Sequence, residues 1–165
     1  MTLQGTHLLY LLYHFFGLPQ RVSAQLYFPF STVEDKAYAQ ILYSSGLQGA
    51  VKVSWSEQGY PSLTLDIIIL GKNGSLTVKE DRLILKLKKA KKGYAAGTTE
   101  ILKEDLSTAP FELGGEGYYL QDKAFVDSLF NKNKSFVDVE DGYNIQRMLH
   151  AVYDSYEQKK EVKVA

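Results

Sequence analysis

Val22-Ser23-Ala24-Gln25-Leu26-Tyr27-Phe28-Pro29-Phe30 alternates in side-chain character with a period of two. Val22, Ala24, Leu26, Phe28 and Phe30 fall on one face of an extended chain, and Ser23, Gln25 and Tyr27 on the other, the pattern of a half-buried strand. The pattern repeats downstream. From Asp35 to Ser44, Ala37, Ala39, Ile41 and Tyr43 oppose Tyr38, Gln40 and Leu42. After the turn Ser44-Ser45-Gly46, a third strand over Gln48 to Ser56 aligns Val51, Val53 and Trp55. A fourth is predicted over Ser62 to Leu70, followed by a hairpin turn at Lys72-Asn73-Gly74. Short strands at Ser75 to Val78 and Arg82 to Lys88 come next, and Thr99 to Lys103 can add another in the otherwise irregular stretch from Ala90 to Gly117.

Helical patterns flank the strands. Thr6 to Phe16 reads as a helix capped by Thr6 and ended by Gly17-Leu18-Pro19. Two more are predicted at about Tyr119 to Phe130 and Glu140 to Gln158, the latter with Ile145, Met148, Leu149, Val152 and Tyr156 in one stripe. Connections of hairpin length imply a largely antiparallel sheet. The expected fold class is α+β: an open, mainly antiparallel sheet with helices packed on one face, residues 1–165 forming one domain. Tyr27, Tyr38, Leu42, Thr64, Ile68 and Ile84 leave the outer face too apolar for plain exposure, so a homodimer through the sheet face is expected.

Composition narrows the function classes. Lys+Arg and Asp+Glu are both 19, so overall charge supplies no drive toward nucleic acid or an anionic membrane, and neither is expected as a partner. With no cysteine, thiol catalysis, disulfides and thiolate metal sites are excluded. The apolar run Leu8 to Phe16 is too short to span a bilayer, which needs ~20 residues. Met1 to Thr6 lacks the basic residues of a signal peptide, and a cytoplasmic protein is expected.

Three blocks carry a resemblance. The first is Gln4-Gly5-Thr6-His7-Leu8-Leu9-Tyr10, ending at Gly17-Leu18-Pro19. The second runs from Val33-Glu34-Asp35 through Ser54-Trp55 to Gly71-Lys72-Asn73-Gly74-Ser75-Leu76. The third joins Phe125-Val126-Asp127-Ser128-Leu129, Val137-Asp138-Val139-Glu140-Asp141-Gly142 and Ala151-Val152-Tyr153-Asp154-Ser155. In this order and spacing the chain resembles the C-terminal domain of the Gfo/Idh/MocA oxidoreductases, relatives of glucose–fructose oxidoreductase and inositol dehydrogenase. The resemblance implies a sheet that often dimerises, and a preceding Rossmann domain that binds NAD or NADP in the full-length parent. No cofactor is expected on this chain itself: Gly114-Gly115-Glu116-Gly117 follows a loop rather than a strand and does not make a dinucleotide fingerprint. The start just before the first block favours an excised domain. The parent is then an oxidoreductase acting on a sugar, polyol or related carbonyl compound, with this chain inactive alone.

His7 is the candidate catalytic residue. Oxidation of an alcohol needs a base for the hydroxyl proton as hydride leaves, and an imidazole with a pKa near ~6.5 suits that task. The resemblance places His7 at the head of the helix, facing the small-molecule substrate. Family members often carry acids four residues before this His and three after it; Leu3 and Tyr10 stand there instead. Leu3 cannot share a proton, and Tyr10 donates a hydrogen bond but is a poor base at neutral pH. Tyr10 and Tyr119 are the expected substrate contacts, with Tyr118 beside the latter and Trp55 with Tyr60 as weaker pocket-edge candidates. His14, about 10.5 Å along the helix from His7, is too distant to share a metal ion, and no metal site is expected. Glu34-Asp35 and Glu140-Asp141 read as structural, the second pair at a helix N-terminus. The basic run Lys86, Lys88, Lys89, Lys91 and Lys92 reads as a solvated strand edge that resists pairing. A non-catalytic ligand sensor or assembly protein on the same scaffold, as in a galactose-pathway regulator resembling this family, is the alternative that Leu3 and Tyr10 favour; a free-standing homodimeric binding domain is a third.

Overall fold

The computed structural model describes residues 2–59, 64–106, 116–131 and 137–165, with the backbone alone at residues 2–4, 116 and 131. Elements follow in the order α1 (Thr2–Phe16), β1 (Arg21–Tyr27), β2 (Lys36–Leu42), β3 (Gln48–Ser54), β4 (Ile67–Gly71), β5 (Gly74–Val78), β6 (Arg82–Leu87), β7 (Gly97–Leu102), α2 (Lys103–Leu106), α3 (Glu116–Asn131), α4 (Val139–Gln158) and β8 (Val162–Lys163). The class is α+β and every pairing among the described strands is antiparallel, as the alternation implies. The strands are divided between two four-stranded sheets, β3-β2-β1-β8 and β4-β5-β6-β7. The chain correspondingly forms two compact units, one from Met1–Gln58 and Lys134–Ala165, the other from Gly59–Asn133.

In the first unit, Val22 and Leu26 of β1, Ala37, Ala39 and Ile41 of β2, and Val51 and Val53 of β3 are buried. Their sheet face packs with Leu9 of α1 and with Ile145, Met148, Leu149 and Val152 of α4 in one core. Each such aliphatic side chain contributes about 1.5–3 kcal/mol by leaving water. Tyr156, expected in the same stripe, is instead largely exposed and sets its ring 5.7 Å from Phe28. The strand ends also differ from expectation. β1 stops at Tyr27, before Pro29, which cannot donate to a ladder, so Phe28 and Phe30 lie beyond it on the surface. Trp55 likewise falls just past β3 and is 56% exposed.

Helix termini follow local chemistry. α1 begins at Thr2, so Thr6 lies inside the helix and is not its cap; at the other end Gly17 takes a left-handed φ of 76° and donates to the Tyr13 carbonyl. Asp138 caps α4 by accepting from the Glu140 and Asp141 amides, while the Asp141 carboxylate accepts from the Asp138 amide. The Asp141 carboxylate is thus structural, as its position implies, while Glu140 joins the cap through its backbone amide. The alternation signal misses β8, two residues long, which pairs Val162 with Val22. Just past that pairing, buried Ser155 of α4 accepts from the Ala24 amide at 2.9 Å and donates to the Lys160 carbonyl at 2.7 Å. Without this hydroxyl a strand amide would lose its partner, at about 1–3 kcal/mol.

The second unit is shallower: none of its described residues is fully buried. The register of β4 with β5 pairs Gly71 with Gly74, so Lys72 and Asn73 form the turn and Gly74 begins the strand. A Cβ at Gly74 would lie 1.8 Å from the Lys86 carbonyl oxygen, and this close approach is what requires glycine there. β7 supplies the strand foreseen at Thr99 to Lys103, two residues earlier. Its pairing makes β6 an interior strand, flanked by β5 and β7. Lys86 is therefore not on an edge, and the edge-protecting role expected for it does not hold; Lys88, Lys89, Lys91 and Lys92 lie beyond β6. No helix among the described residues is long and apolar enough to cross a membrane.

Candidate functional site

The residues singled out on α1 occupy its solvent-facing and α4-facing sides. His7 is exposed, on the second turn, and makes no hydrogen bond or ion pair among the described residues. The side chain of Leu3 lies outside the described residues. Tyr10, one turn further on, is half-buried against the core and stacks on His14 with ring centroids 5.8 Å apart. His14 in turn meets Phe15 edge-on at 5.4 Å.

Around Tyr10 the start of α4 closes a polar seam. Asn144, buried in the stripe that otherwise carries Ile145 and Met148, donates to the Tyr13 hydroxyl at 3.0 Å. Arg147 donates to the Asn144 side-chain oxygen at 2.8 Å and lies 5.7 Å from the Tyr143 ring centroid. Burial, then the Asp141 charge and Tyr13, raise the pKa of Tyr10. The phenol thus stays protonated at neutral pH, able to donate a hydrogen bond but not to act as a base. Sequence reasoning missed Tyr13, Asn144 and Arg147; the one signal for them was an amide inside an apolar helical stripe.

Burial also raises the pKa of Tyr43, whose hydroxyl donates to the Leu12 carbonyl at 3.5 Å. For Tyr10 and Tyr43 the folded state holds the proton more tightly than the unfolded chain, whose tyrosines titrate near pH ~10. Their contribution to stability is complete below that pH and is lost as pH rises through the folded-state values. The urea midpoint is therefore expected to fall above pH ~10, and Tyr43→Phe to flatten the fall; equal slopes in both proteins would contradict this assignment.

The other candidates separate. Tyr119 is half-buried and Tyr118 exposed on α3, in the second unit. Tyr60 lies outside the described residues. Asp35 accepts from the Phe30 amide and Glu34 from the Tyr153 hydroxyl, both stabilising the β1–β2 connection as structural carboxylates. Among the described residues no group of His, Asp and Glu side chains converges to hold a metal ion. An open groove of about 430 Å³ lies on the outer face of the first sheet, lined by Ser23, Gln40, Leu42, Gln48 and Glu161. Leu42 of the expected dimer face borders it, whereas His7, Tyr10, Tyr119 and Trp55 do not.

A dinucleotide cradle requires a strand that enters a helix through a glycine-rich turn. No described strand does so: β7 runs into α2 without a glycine between them. Gly114 and Gly115 lie outside the described residues, and Gly117 is in the first turn of α3.

Residues 1–164 match the family described as oxidoreductase family, C-terminal alpha/beta domain. No curated protein sequence matches the chain. Among solved structures, the chain is similar to a levoglucosan dehydrogenase in complex with NADH and levoglucosan, with 17% identity, TM-score 0.84, and coverage of 98% of this chain and 49% of that one. An oxidoreductase from Agrobacterium radiobacter, in complex with NAD+, L-tartaric acid and magnesium, is 18% identical with TM-score 0.78, over 98% of this chain and 48% of its own. The WlbA dehydrogenase from Bordetella pertussis, in complex with NADH and UDP-GlcNAcA, is 21% identical with TM-score 0.75, over 97% and 46%. The chain spans about half the length of the solved structures it matches.

Proposed function

Because the chain belongs to the oxidoreductase family defined by this C-terminal alpha/beta domain, we propose that it is the substrate-facing half of an NAD- or NADP-dependent oxidoreductase acting on a sugar, polyol or related carbonyl compound. The observation that carries the reading is the family match over residues 1–164. Solved relatives that hold NADH with levoglucosan or UDP-GlcNAcA, and are about twice as long, support it. In this reading a Rossmann domain in the other half of the parent binds the dinucleotide. His7 takes the proton of the substrate hydroxyl, Tyr10 contacts the substrate, and this chain alone is inactive. The outer face of the first sheet, where Tyr27 and Tyr38 meet edge-on at 5.7 Å and stay partly exposed, is the proposed homodimer surface.

Two titrations of the purified chain test the division of labour. NADH is expected to give no saturable fluorescence change, whereas a panel of sugars and polyols should move the His7 ring resonances in an NMR spectrum. Tight saturable binding of NADH to this chain, or no response of His7 to any member of the panel, would refute the reading. Sedimentation showing a monomer at high concentration would remove the dimer. A sensor without catalysis is favoured by one observation: Leu3 and a protonated Tyr10 stand where acids would assist the base.

A further inference from the structure

The charge balance of the whole chain conceals a segregation within the second sheet. Residues 67–79 and 83–99 contain no Asp or Glu, yet hold Lys72, Lys79, Lys86, Lys88, Lys89, Lys91 and Lys92. All but Lys79 gather at one end of the sheet. There the Lys88 amide donates to the Asn73 carbonyl at 2.7 Å and the Asn73 side chain donates to the Lys89 carbonyl at 2.9 Å, stitching the β4–β5 turn, with Lys72, to the lysine run. The acids of the sheet stand at the opposite end, where Asp81 and Glu100 both pair with Arg82. Among the described residues none of the six clustered lysines is in a salt bridge.

This end closes in a hairpin finger. Lys91 and Tyr94 exchange backbone hydrogen bonds of 2.9 and 3.1 Å around Lys92 and Gly93, whose φ values of 49° and 86° suit a primed hairpin turn. The groove on the first sheet does not include these lysines. Because β6 is an interior strand, guarding an edge does not account for Lys86. The cross-strand row Leu70–Ser75–Lys86 puts Leu70, 76% exposed, on the same face as Lys86, and Tyr94 at the tip is 42% exposed.

We propose that this finger docks the protein on an anionic lipid bilayer. Lysines are hydrated point charges on flexible stems, suited to the diffuse field of a headgroup layer rather than to the forked recognition of a single phosphate that arginine provides. An exposed leucine and a tyrosine among them match the apolar–polar boundary of a bilayer and have no complement on a nucleic-acid backbone. The inference is independent of the oxidoreductase reading.

The test is cosedimentation of the full chain with vesicles of phosphatidylcholine alone and of phosphatidylcholine with phosphatidylserine. Binding is expected only to the second kind, and should vanish in high salt. Each lysine at such a surface contributes about a fivefold factor, so Lys88→Gln/Lys89→Gln/Lys91→Gln should lower partitioning about 100-fold with an unchanged circular dichroism spectrum. Leu70→Ser should lower it severalfold without altering the salt dependence. The salt titration of the unaltered chain tests the idea even if a variant misfolds. No binding to phosphatidylserine vesicles at low salt, equal binding to neutral vesicles, or undiminished binding by the folded triple variant would overturn it. So would displacement from the vesicles by duplex DNA or polyglutamate at matched charge, which would make the finger a general polyanion binder.

Discussion

Gly74→Ala is expected to destabilise the second sheet by on the order of 3 kcal/mol, because the new methyl would have to occupy the space of a backbone carbonyl. The nearest atoms to a Cβ there are the oxygen and carbon of Lys86, at 1.8 and 2.9 Å, and Cα of Leu87 at 3.1 Å. No side-chain rotation relieves such a contact; β5 and β6 must part. Hydrogen exchange reads the effect most directly. Amides of β5 and β6 should exchange on the order of 100-fold faster, while those of β1, β2 and α4 keep their protection, since Gly74 lies in the other compact unit. Uniform acceleration across both units would show that they unfold together, and unchanged exchange would show that the strands separate without cost.

The second large effect concerns His7. In a full-length enzyme containing this chain, His7→Ala is expected to lower kcat/KM by about 100- to 10,000-fold, the usual range for losing a positioned general base. The exposed position predicts that stability hardly changes, so a loss of activity would not be a loss of fold. Tyr10→Phe should act differently, raising KM with little change in kcat, because a protonated phenol positions but does not accept a proton. Activity of His7→Ala within threefold of the parent would reject His7 as the base and leave the sensor reading in its place.

What the sequence disclosed depended on the range over which each signal acts. The alternation of β1 and β2 and the stripe of α4 are local and periodic, and they emerge nearly as written, with Ala37, Ala39, Ile41, Met148 and Val152 buried together. Chain ends of elements were less legible, because Thr6 has a capping side chain yet continues a helix begun at Thr2. Partition into two sheets was not legible at all. Nothing in the alternation of β3 or β4 states whether the two strands pair. At the candidate site, the motif positions His7 and Tyr10 were visible, whereas the Tyr13–Asn144–Arg147 seam joins residues more than a hundred positions apart and leaves only a misplaced amide as its trace. The role of Lys86 was misjudged for the same reason: whether a strand is interior depends on a neighbour, here β7, whose own pattern is weak.

The first unit is assembled from two separated stretches of chain, with Gly59–Asn133 between them. On a ribosome that order has a temporal meaning. β1, β2 and β3 emerge with their apolar face complete, but α4, which covers that face, follows only after the whole intervening unit. At about 5–20 residues per second, synthesis of that unit leaves the face without its cover for roughly 4–15 s. Ser155 and β8, which fasten α4 and the chain end to β1, arrive last of all. The nascent protein therefore spends roughly half of its synthesis with that face lacking α4, a period in which chaperones would have the most to shield.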